Sequence, residues 1–335
     1  MKVAVTGCGS VSKMHFKALS EIPDIEIAAV ADIKPERADA MAAEYGAKAY
    51  YDFDELIENE KLDAVHICTP HYLHTPMAVK ALKKGINVLL EKPCSVSLEE
   101  IETLRKSEAE SRKQLGICFQ NRYNNCVQEA KKIIDSGEMG NVKAVRAFVT
   151  WERGENYYSD DWHGTLDKEC GGVLINQSIH TMDLVQYLGG KCKKVTAHVS
   201  NDHLKGIIEV EDTASVLMEL ENGVTAIFYA TLAFAENSDV FIEITLEKGK
   251  LRIEGEKLFI ITNDGKVTES EFETEAVYHG QRYWGSGHSV LIEDYYYCLK
   301  SGEKFEIDAI EGGRAAQIVA SCYISSKSGE SVEIE

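Results

Sequence analysis

Short apolar runs alternate with longer amphipathic stretches along the first 120 residues of the chain. The apolar, β-branched run at residues 2–6 and the run at residues 25–31 each suit a buried strand, because a strand covered on both faces carries few polar side chains. A segment of helical length, residues 11–20, separates them, and the same order recurs to residue 119. Repeated strand–helix units predict a doubly wound parallel sheet with ligands at the carboxyl ends of its strands.

Turn and capping residues set the expected bounds of these elements. Pro35 suits the first turn of a helix that Gly46 ends. Thr75 is expected to cap another helix, and Ser97 with Glu100 matches a capping box. We therefore expect helices over 35–45, 75–85 and 97–112, and strands over 63–69, 87–90 and 115–119.

The pattern changes after residue 120. Asn222-Gly223 and Asp264-Gly265 are turn pairs typical of hairpins, and alternating strands flank both of them. We expect hairpins of 213–220 with 224–234 and of 258–262 with 266–272, a strand at 142–151, and helices near 127–136, 288–300 and 310–327. This predicts two domains, a parallel α/β domain over residues 1–120 and an α+β domain with a large, mostly antiparallel sheet over residues 121–335.

A glycine turn follows the first strand, and an acidic residue follows the second. Gly7-Cys8-Gly9 lies directly before a helix, where glycines let the backbone approach a pyrophosphate and the helix offers free N–H groups. Ser12 stands where the usual third glycine would be, and a small side chain keeps helix and strand close. Asp32 lies 23 residues after Gly9, near the spacing of about 20 in dinucleotide-binding folds. The alternative is a purely structural turn.

Asp32 also bears on the kind of dinucleotide. A carboxylate accepts hydrogen bonds from the adenosine ribose and repels a 2′-phosphate, so we expect NAD to be preferred. Lys34 and Arg37 soften that repulsion, which keeps NADP possible.

Composition narrows the class of protein. A formal charge of −19 argues against nucleic acid and anionic membranes as partners, because both would be repelled. The nine cysteines contain no CxxC pair, and no apolar run approaches a membrane span of about 18 residues. Since the chain enters its first strand at once, we expect no signal peptide. We expect a cytoplasmic enzyme with reduced thiols.

Glu91-Lys92-Pro93 lies at the carboxyl end of a predicted strand, where ligands bind in such sheets. A lysine held there can donate a hydrogen bond to a substrate oxygen and favour its negative charge during reaction. The alternative is a solvated loop lysine. Pro93 also makes a cis peptide bond possible.

A glycine-led segment, residues 171–183, is predicted to be a helix. Asn176, His180 and Asp183 would then share one face. His180 is a candidate for taking a hydroxyl proton as hydride leaves the same carbon. The alternative is a core histidine that Asn176 or Asp183 satisfies. No second histidine or thiolate has ligand spacing on this helix, so we expect no metal.

Together these residues make the sequence resemble the glucose–fructose oxidoreductase, inositol dehydrogenase and rhizopine catabolism family, Gfo/Idh/MocA. The resemblance spans nearly the whole chain. Its matching pieces are Val5-Thr6-Gly7-Cys8-Gly9 with His15, Ala31-Asp32, Pro35-Glu36-Arg37, Cys68-Thr69-Pro70 with His74, Val88 to Pro93, Gly171 to Asp183, and Gly313-Arg314-Ala315-Ala316.

The resemblance implies a Rossmann domain that binds NAD(P), and a second domain whose large sheet makes a homodimer or homotetramer. It implies hydride transfer to or from a sugar, cyclitol or sugar derivative, with Lys92 polarising the substrate oxygen and His180 as acid or base. The position one turn before that histidine, commonly aspartate, is Asn176 here, and an amide cannot serve as a base. The common arginine after Trp162 is His163 here.

Further site residues are implied only by the resemblance. Those expected to contact the cofactor are Gly7, Gly9, Ser10, Val11, Asp32, Arg37, Thr69, Pro70, His71, His74, Glu91, Lys92 and Trp162. Those expected to contact the substrate are Lys92, Asn121, Tyr123, Asn176, His180 and Tyr283. Two other functions known in such a family stay open, an NAD-dependent glycoside hydrolase and a non-catalytic dinucleotide sensor.

Overall fold

A computed structural model describes residues 1–272 and 287–334, and the chain divides into two compact units. The first comprises Met1–Phe119 with His288–Ala316, and the second comprises Gln120–Gly287 with Gln317–Glu335. The expected division at residue 120 therefore does not include the later segment, His288–Ala316, that belongs to the first unit. Within the described ranges, no helix combines the length and apolar character needed to cross a membrane.

The first unit contains the parallel sheet expected from the alternating pattern, and the sheet has six strands, of which the short one at Lys48–Tyr50 was not predicted. Its strands are β1 (Lys2–Thr6), β2 (Glu26–Ala31), β3 (Lys48–Tyr50), β4 (Ala64–Ile67), β5 (Asn87–Leu90) and β6 (Leu115–Ile117). They lie in the order β3-β2-β1-β4-β5-β6, that of a Rossmann sheet, and every neighbouring pair is parallel. All four residues of β4 are buried, as a strand covered on both faces requires.

The helices of this unit connect successive strands. They are α1 (Ser12–Glu21), α2 (Pro35–Tyr45), α3 (Phe53–Asn59), α4 (His74–Lys83) and α5 (Leu98–Ser111). Gly46 ends α2 in the left-handed conformation, and the Ser97 hydroxyl caps α5 through the Glu100 N–H. The expected cap at Thr75 was wrong, because a short 3₁₀ helix leads into α4 and the Thr75 hydroxyl donates to the Cys94 carbonyl.

The second unit contains the large, mostly antiparallel sheet. Its elements are α6 (Asn125–Ser136), β7 (Val142–Thr150), α7 (Ile179–Gly189), β8 (Cys192–Ser200), β9 (Thr213–Leu220), β10 (Thr225–Thr231), β11 (Phe241–Leu246), β12 (Gly249–Glu254), β13 (Lys257–Thr262), β14 (Val267–Glu271) and β15 (Val332–Glu333). The nine strands lie in the order β14-β13-β12-β11-β7-β10-β9-β8-β15, and only the β7–β10 pair is parallel among them. Both predicted hairpins, β9–β10 and β13–β14, are present.

Two helices complete the described chain. Helix α8 (Gly287–Ser301) contributes almost entirely to the first unit, and α9 (Gly313–Ser328) passes from the first unit into the second at Ala316. The fold class expected from the sequence, a Rossmann sheet followed by an α+β domain, is confirmed.

Candidate active site

The glycine turn after β1 requires glycine at one position and leaves another open. Gly7 has a φ of 83°, and a Cβ there would come within 2.5 Å of the Cys68 carbonyl oxygen. A Cβ on Gly9 would meet nothing within 4 Å. Ser12 is buried, and its hydroxyl donates to the Gly9 carbonyl at 2.7 Å. Serine in place of the third glycine therefore ties the turn to α1.

Asp32 is held at the end of β2 by two backbone donors. One of its oxygens accepts from the Cys8 N–H and the other from the Lys34 N–H, both at 2.8 Å. The carboxylate is half-buried, and each oxygen retains lone-pair capacity. The open glycine backbone and this fixed carboxylate fit a dinucleotide's pyrophosphate and ribose.

A buried histidine joins the loops that follow β4 and β5. His74 Nε2 lies 2.7 Å from the Thr69 carbonyl oxygen, and its Nδ1 lies 2.7 Å from that of Pro93. Burial lowers the pKa of His74, although both carbonyls act to raise it. The imidazole thereby fixes the loop after Lys92 against the loop after Thr69.

Glu91 turns its carboxylate into the interior. Its Oε1 lies 3.0 Å from His15 Nε2 and 3.7 Å from His288 Nε2, and its Oε2 accepts from the Lys92 N–H at 3.2 Å. Burial alone would raise the pKa of Glu91, but hydrogen bonds and charge from the two histidines hold it well below the usual range. An anchored anion therefore positions the backbone of Lys92, whose peptide bond to Pro93 is cis.

The sequence did not reveal how far this buried network extends. His15 Nδ1 lies 2.7 Å from His66 Nδ1, and His66 Nε2 lies 2.8 Å from the Tyr296 hydroxyl. Burial holds the pKa of His66 well below its ordinary value. The side chains of His15, Glu91 and Cys118 bring potential metal-ligand atoms within 4.8 Å of one another, a grouping that the sequence did not predict.

The residues expected to bind the cofactor in the first unit all follow the carboxyl ends of its strands. Gly7, Gly9, Ser10 and Val11 follow β1, Asp32 and Arg37 follow β2, Thr69, Pro70, His71 and His74 follow β4, and Glu91 and Lys92 follow β5. This edge of the sheet is where such folds bind ligands.

In the second unit, the expected single helix over residues 171–183 was wrong. Residues Val173–Gln177 form a π-helical turn, and α7 begins only at Ile179. The buried Glu211 carboxylate accepts from the Gly172 and Leu174 N–H groups, at 2.9 and 3.0 Å, and so holds the start of the turn. A Cβ on Gly172 would come within 1.9 Å of the Glu211 carbonyl oxygen, so the approach requires glycine.

The three polar residues of this segment, Asn176, His180 and Asp183, contact different partners. Asn176 donates from Nδ2 to Glu169 Oε1 at 2.5 Å, and Glu169 is fully buried. Asp183 accepts two hydrogen bonds from the Arg122 guanidinium, at 2.7 and 2.6 Å. His180 is half-buried, and its Nε2 lies 3.4 Å from Gln120 Nε2.

The buried Arg122–Asp183 pair connects α7 to a short 3₁₀ helix, Gln120–Tyr123, that carries Asn121 and Tyr123. The Arg122 guanidinium also lies 4.6 Å from the centre of the Tyr187 ring. The pair therefore fixes the two expected substrate residues and Gln120 against α7. Sequence reasoning missed this pairing and Gln120, because no local spacing links residues 61 positions apart.

An aromatic cluster surrounds Trp162. The rings of Trp162 and His163 have centroids 3.8 Å apart, and Tyr157 lies 4.9 Å from His163. The Tyr157 hydroxyl lies 3.3 Å from Gln177 Nε2 in the π-helical turn. The loop is thus attached to the turn that carries Asn176. Tyr283, the other aromatic residue expected at the site, lies outside the described residues.

Comparison with known proteins gives consistent matches over both units. The model of an oxidoreductase family with an NAD-binding Rossmann fold, GFO_IDH_MocA, matches residues 1–119, and the GFO/IDH/MocA C-terminal domain matches residues 127–252. The scyllo-inositol 2-dehydrogenase (NAD(+)) of Bacillus subtilis strain 168 is 30% identical over 263 residues, which cover 76% of this chain and 73% of that protein.

Two further relatives extend the comparison. The inositol 2-dehydrogenase of Rhizobium meliloti strain 1021 is 27% identical, covering 79% of this chain and 80% of its own length. The WlbA dehydrogenase from Bordetella pertussis, solved in complex with NADH and UDP-GlcNAcA, is 26% identical with a TM-score of 0.87, covering 100% of this chain and 98% of that one. The chain therefore belongs to the Gfo/Idh/MocA family of NAD-binding oxidoreductases.

Proposed function

We propose that this enzyme transfers a hydride between a nicotinamide cofactor and a CH–OH carbon of a sugar, cyclitol or sugar derivative. Family membership makes it an NAD-dependent dehydrogenase acting on CH–OH groups. The observation that carries the assignment of chemistry is the anchoring of Lys92, whose N–H bonds a buried glutamate carboxylate at the carboxyl end of β5. Because its backbone is held in place, Lys92 is suited to place its positive charge beside a substrate oxygen.

Lys92 and His180 have separate roles in this proposal. In the oxidising direction, Lys92 donates a hydrogen bond to the reacting oxygen and stabilises its developing negative charge. His180 accepts the hydroxyl proton. Bound NAD supplies the hydride acceptor. Asn176 orients the substrate, because an amide cannot take the proton.

The remaining cofactor and substrate contacts are proposed as expected from the resemblance. Asp32 favours NAD, and the half-buried Lys34 and exposed Arg37 leave NADP possible. Trp162 is proposed to contact the nicotinamide, and Asn121, Tyr123 and Tyr283 the substrate.

The substrate is best sought among sugars, cyclitols and nucleotide sugars. The similarity to inositol dehydrogenases supports a cyclitol as substrate, and the similarity to an enzyme bound to UDP-GlcNAcA supports a nucleotide-linked sugar. The test is a panel of these compounds with NAD, followed by the absorbance of the reduced nicotinamide. Reduction with none of them would contradict the proposal.

The open face of the large sheet supports a homodimer or homotetramer. Leu217 and Ile227 are exposed and lie opposite each other on β9 and β10, and Tyr229 lies beside Phe148 on the next strand. Apolar neighbours on an exposed sheet face are typical of association surfaces. Light scattering tests this: Ile227→Glu should release monomers, whereas Ile310→Glu, an equally exposed isoleucine of the first unit, serves as control.

We also infer a cytoplasmic location. All nine cysteines are free thiols and eight are buried, a usage typical of reducing compartments. Cell fractionation tests this, and recovery of the protein outside the cytoplasm would contradict it.

A further inference from the structure

Asn176 and Glu169 form a pair that the function proposed above does not by itself explain. Asn176 stands half-exposed on the π-helical turn, whereas Glu169 is fully buried. The amide Nδ2 lies 2.5 Å from Glu169 Oε1, and Glu169 Oε2 accepts from the Gly164 N–H. Both oxygens of the carboxylate therefore receive N–H donors.

These contacts fix which way the Asn176 amide faces. Both oxygens of Glu169 accept from N–H groups, so the amide turns its NH₂ group toward Glu169. Since the oxygen and nitrogen of an amide lie on opposite sides of its carbon, Oδ1 then points away from Glu169. The orientation of the Asn176 amide is set by a buried carboxyl group seven residues earlier in the chain.

We propose that Glu169 is a positioning residue that makes Asn176 present its carbonyl oxygen, a hydrogen-bond acceptor, to a hydroxyl of the substrate. The inference rests on the proposed function, since it assigns a role in substrate binding at that same site. It also selects the substrate group: a hydroxyl can donate to Oδ1, whereas a carbonyl or carboxylate oxygen at that place would be repelled.

The pair also accounts for asparagine where aspartate is common in the family. Aspartate at 176 would bring two carboxylates within hydrogen-bond distance, and like charges so close cannot both stay ionised at low cost. The identities of residues 169 and 176 are therefore coupled. The exchanged pair, glutamine at 169 and aspartate at 176, would restore every bond, because the glutamine oxygen accepts from Gly164 and its NH₂ donates to the aspartate.

The exchange provides the test. Asn176→Asp should lower the melting temperature, and E169Q/N176D should recover most of that loss. The single change Glu169→Gln allows the Asn176 amide to turn over and offer a donor instead. It should raise the KM for the substrate by about 10- to 100-fold, the cost of a mismatched hydrogen bond, with a smaller change in kcat.

Glu211→Gln is the matched control, since Glu211 is also a buried carboxylate bound to this turn but does not bond Asn176. E211Q/N176D should show no recovery. An E169Q/N176D protein no more stable than N176D would overturn the pairing, and an unchanged KM in Glu169→Gln would overturn the positioning role. If the wild-type protein oxidises nothing in the panel, the proposed function fails, while the melting temperatures still decide the pairing.

Discussion

In the proposed reaction single residues carry the chemistry, and Lys92 is the first of them. Its backbone is fixed by the Glu91 carboxylate on one side, and by His74 at the Pro93 carbonyl on the other. Neither contact uses the ammonium group. The two anchors therefore fix the point from which the side chain extends, which is what electrostatic stabilisation of a developing oxyanion requires.

Lys92→Ala should lower turnover by roughly 10²–10³-fold and leave NAD affinity within a few-fold, because a positioned charged donor is lost while the glycine turn and Asp32 remain. Steady-state kinetics and cofactor titration measure both effects. Lys61→Ala, an exposed lysine of the same unit, is the control. Normal turnover in Lys92→Ala would make Lys92 an ordinary loop lysine.

His180→Asn tests the proton acceptor. Loss of a general base should lower turnover by at least about 10²-fold, and should remove the limb of the pH–rate profile that rises with histidine deprotonation. The melting temperature is measured on the same variant. A large loss of stability with an unchanged profile would instead identify a structural histidine.

Among helices and strands, the sequence predicted the boundaries that are set by neighbouring residues and missed those that depend on residues distant in the chain. Pro35 and Gly46 bound α2 as expected, because both act through their own backbone. The π-helical turn could not be predicted, since Glu211, which holds its start, lies 39 residues after Gly172. Periodicity placed Asn176 and His180 in the right segment but gave them the geometry of a regular α-helix.

The Arg122–Asp183 pair acts at this scale, because it fastens the 3₁₀ helix Gln120–Tyr123 to α7. Asp183→Asn should lower the free energy of unfolding by about 3–5 kcal/mol, since it leaves a buried guanidinium without its counter-ion. Urea denaturation measures the change. The double variant R122M/D183L should recover much of it, and an equal loss in both proteins would show that packing, not charge, is responsible.

For the whole molecule, the parallel sheet of the first unit was implicit in the repeated strand–helix pattern, but the order of its six strands was not predicted. The sequence also did not predict that His288–Ala316 belongs to the first unit, because this depends on contacts between distant parts of the chain. This segment brings His288 to Glu91 and Tyr296 to His66. The sequence could therefore predict the parallel sheet and the glycine turn, but not the buried network behind Lys92.

The relative affinities for NAD and NADP test the role proposed for Asp32. NAD should bind more tightly than NADP, since the Asp32 carboxylate would face the 2′-phosphate. Asp32→Ala should narrow or reverse the preference. Fluorescence titration of both cofactors measures this, and tighter binding of NADP to the wild-type protein would contradict the assignment.

In the proposed reaction the enzyme oxidises a CH–OH group with net transfer of hydride to NAD. The most direct measurement compares, for the substrate found in the panel, the amount of reduced nicotinamide with the amount and mass of the product. We expect equal amounts of NADH and of a product that lacks two hydrogens. Cleavage of a glycosidic bond without net NADH would instead identify an NAD-dependent glycoside hydrolase, and NAD binding without any turnover would identify a sensor.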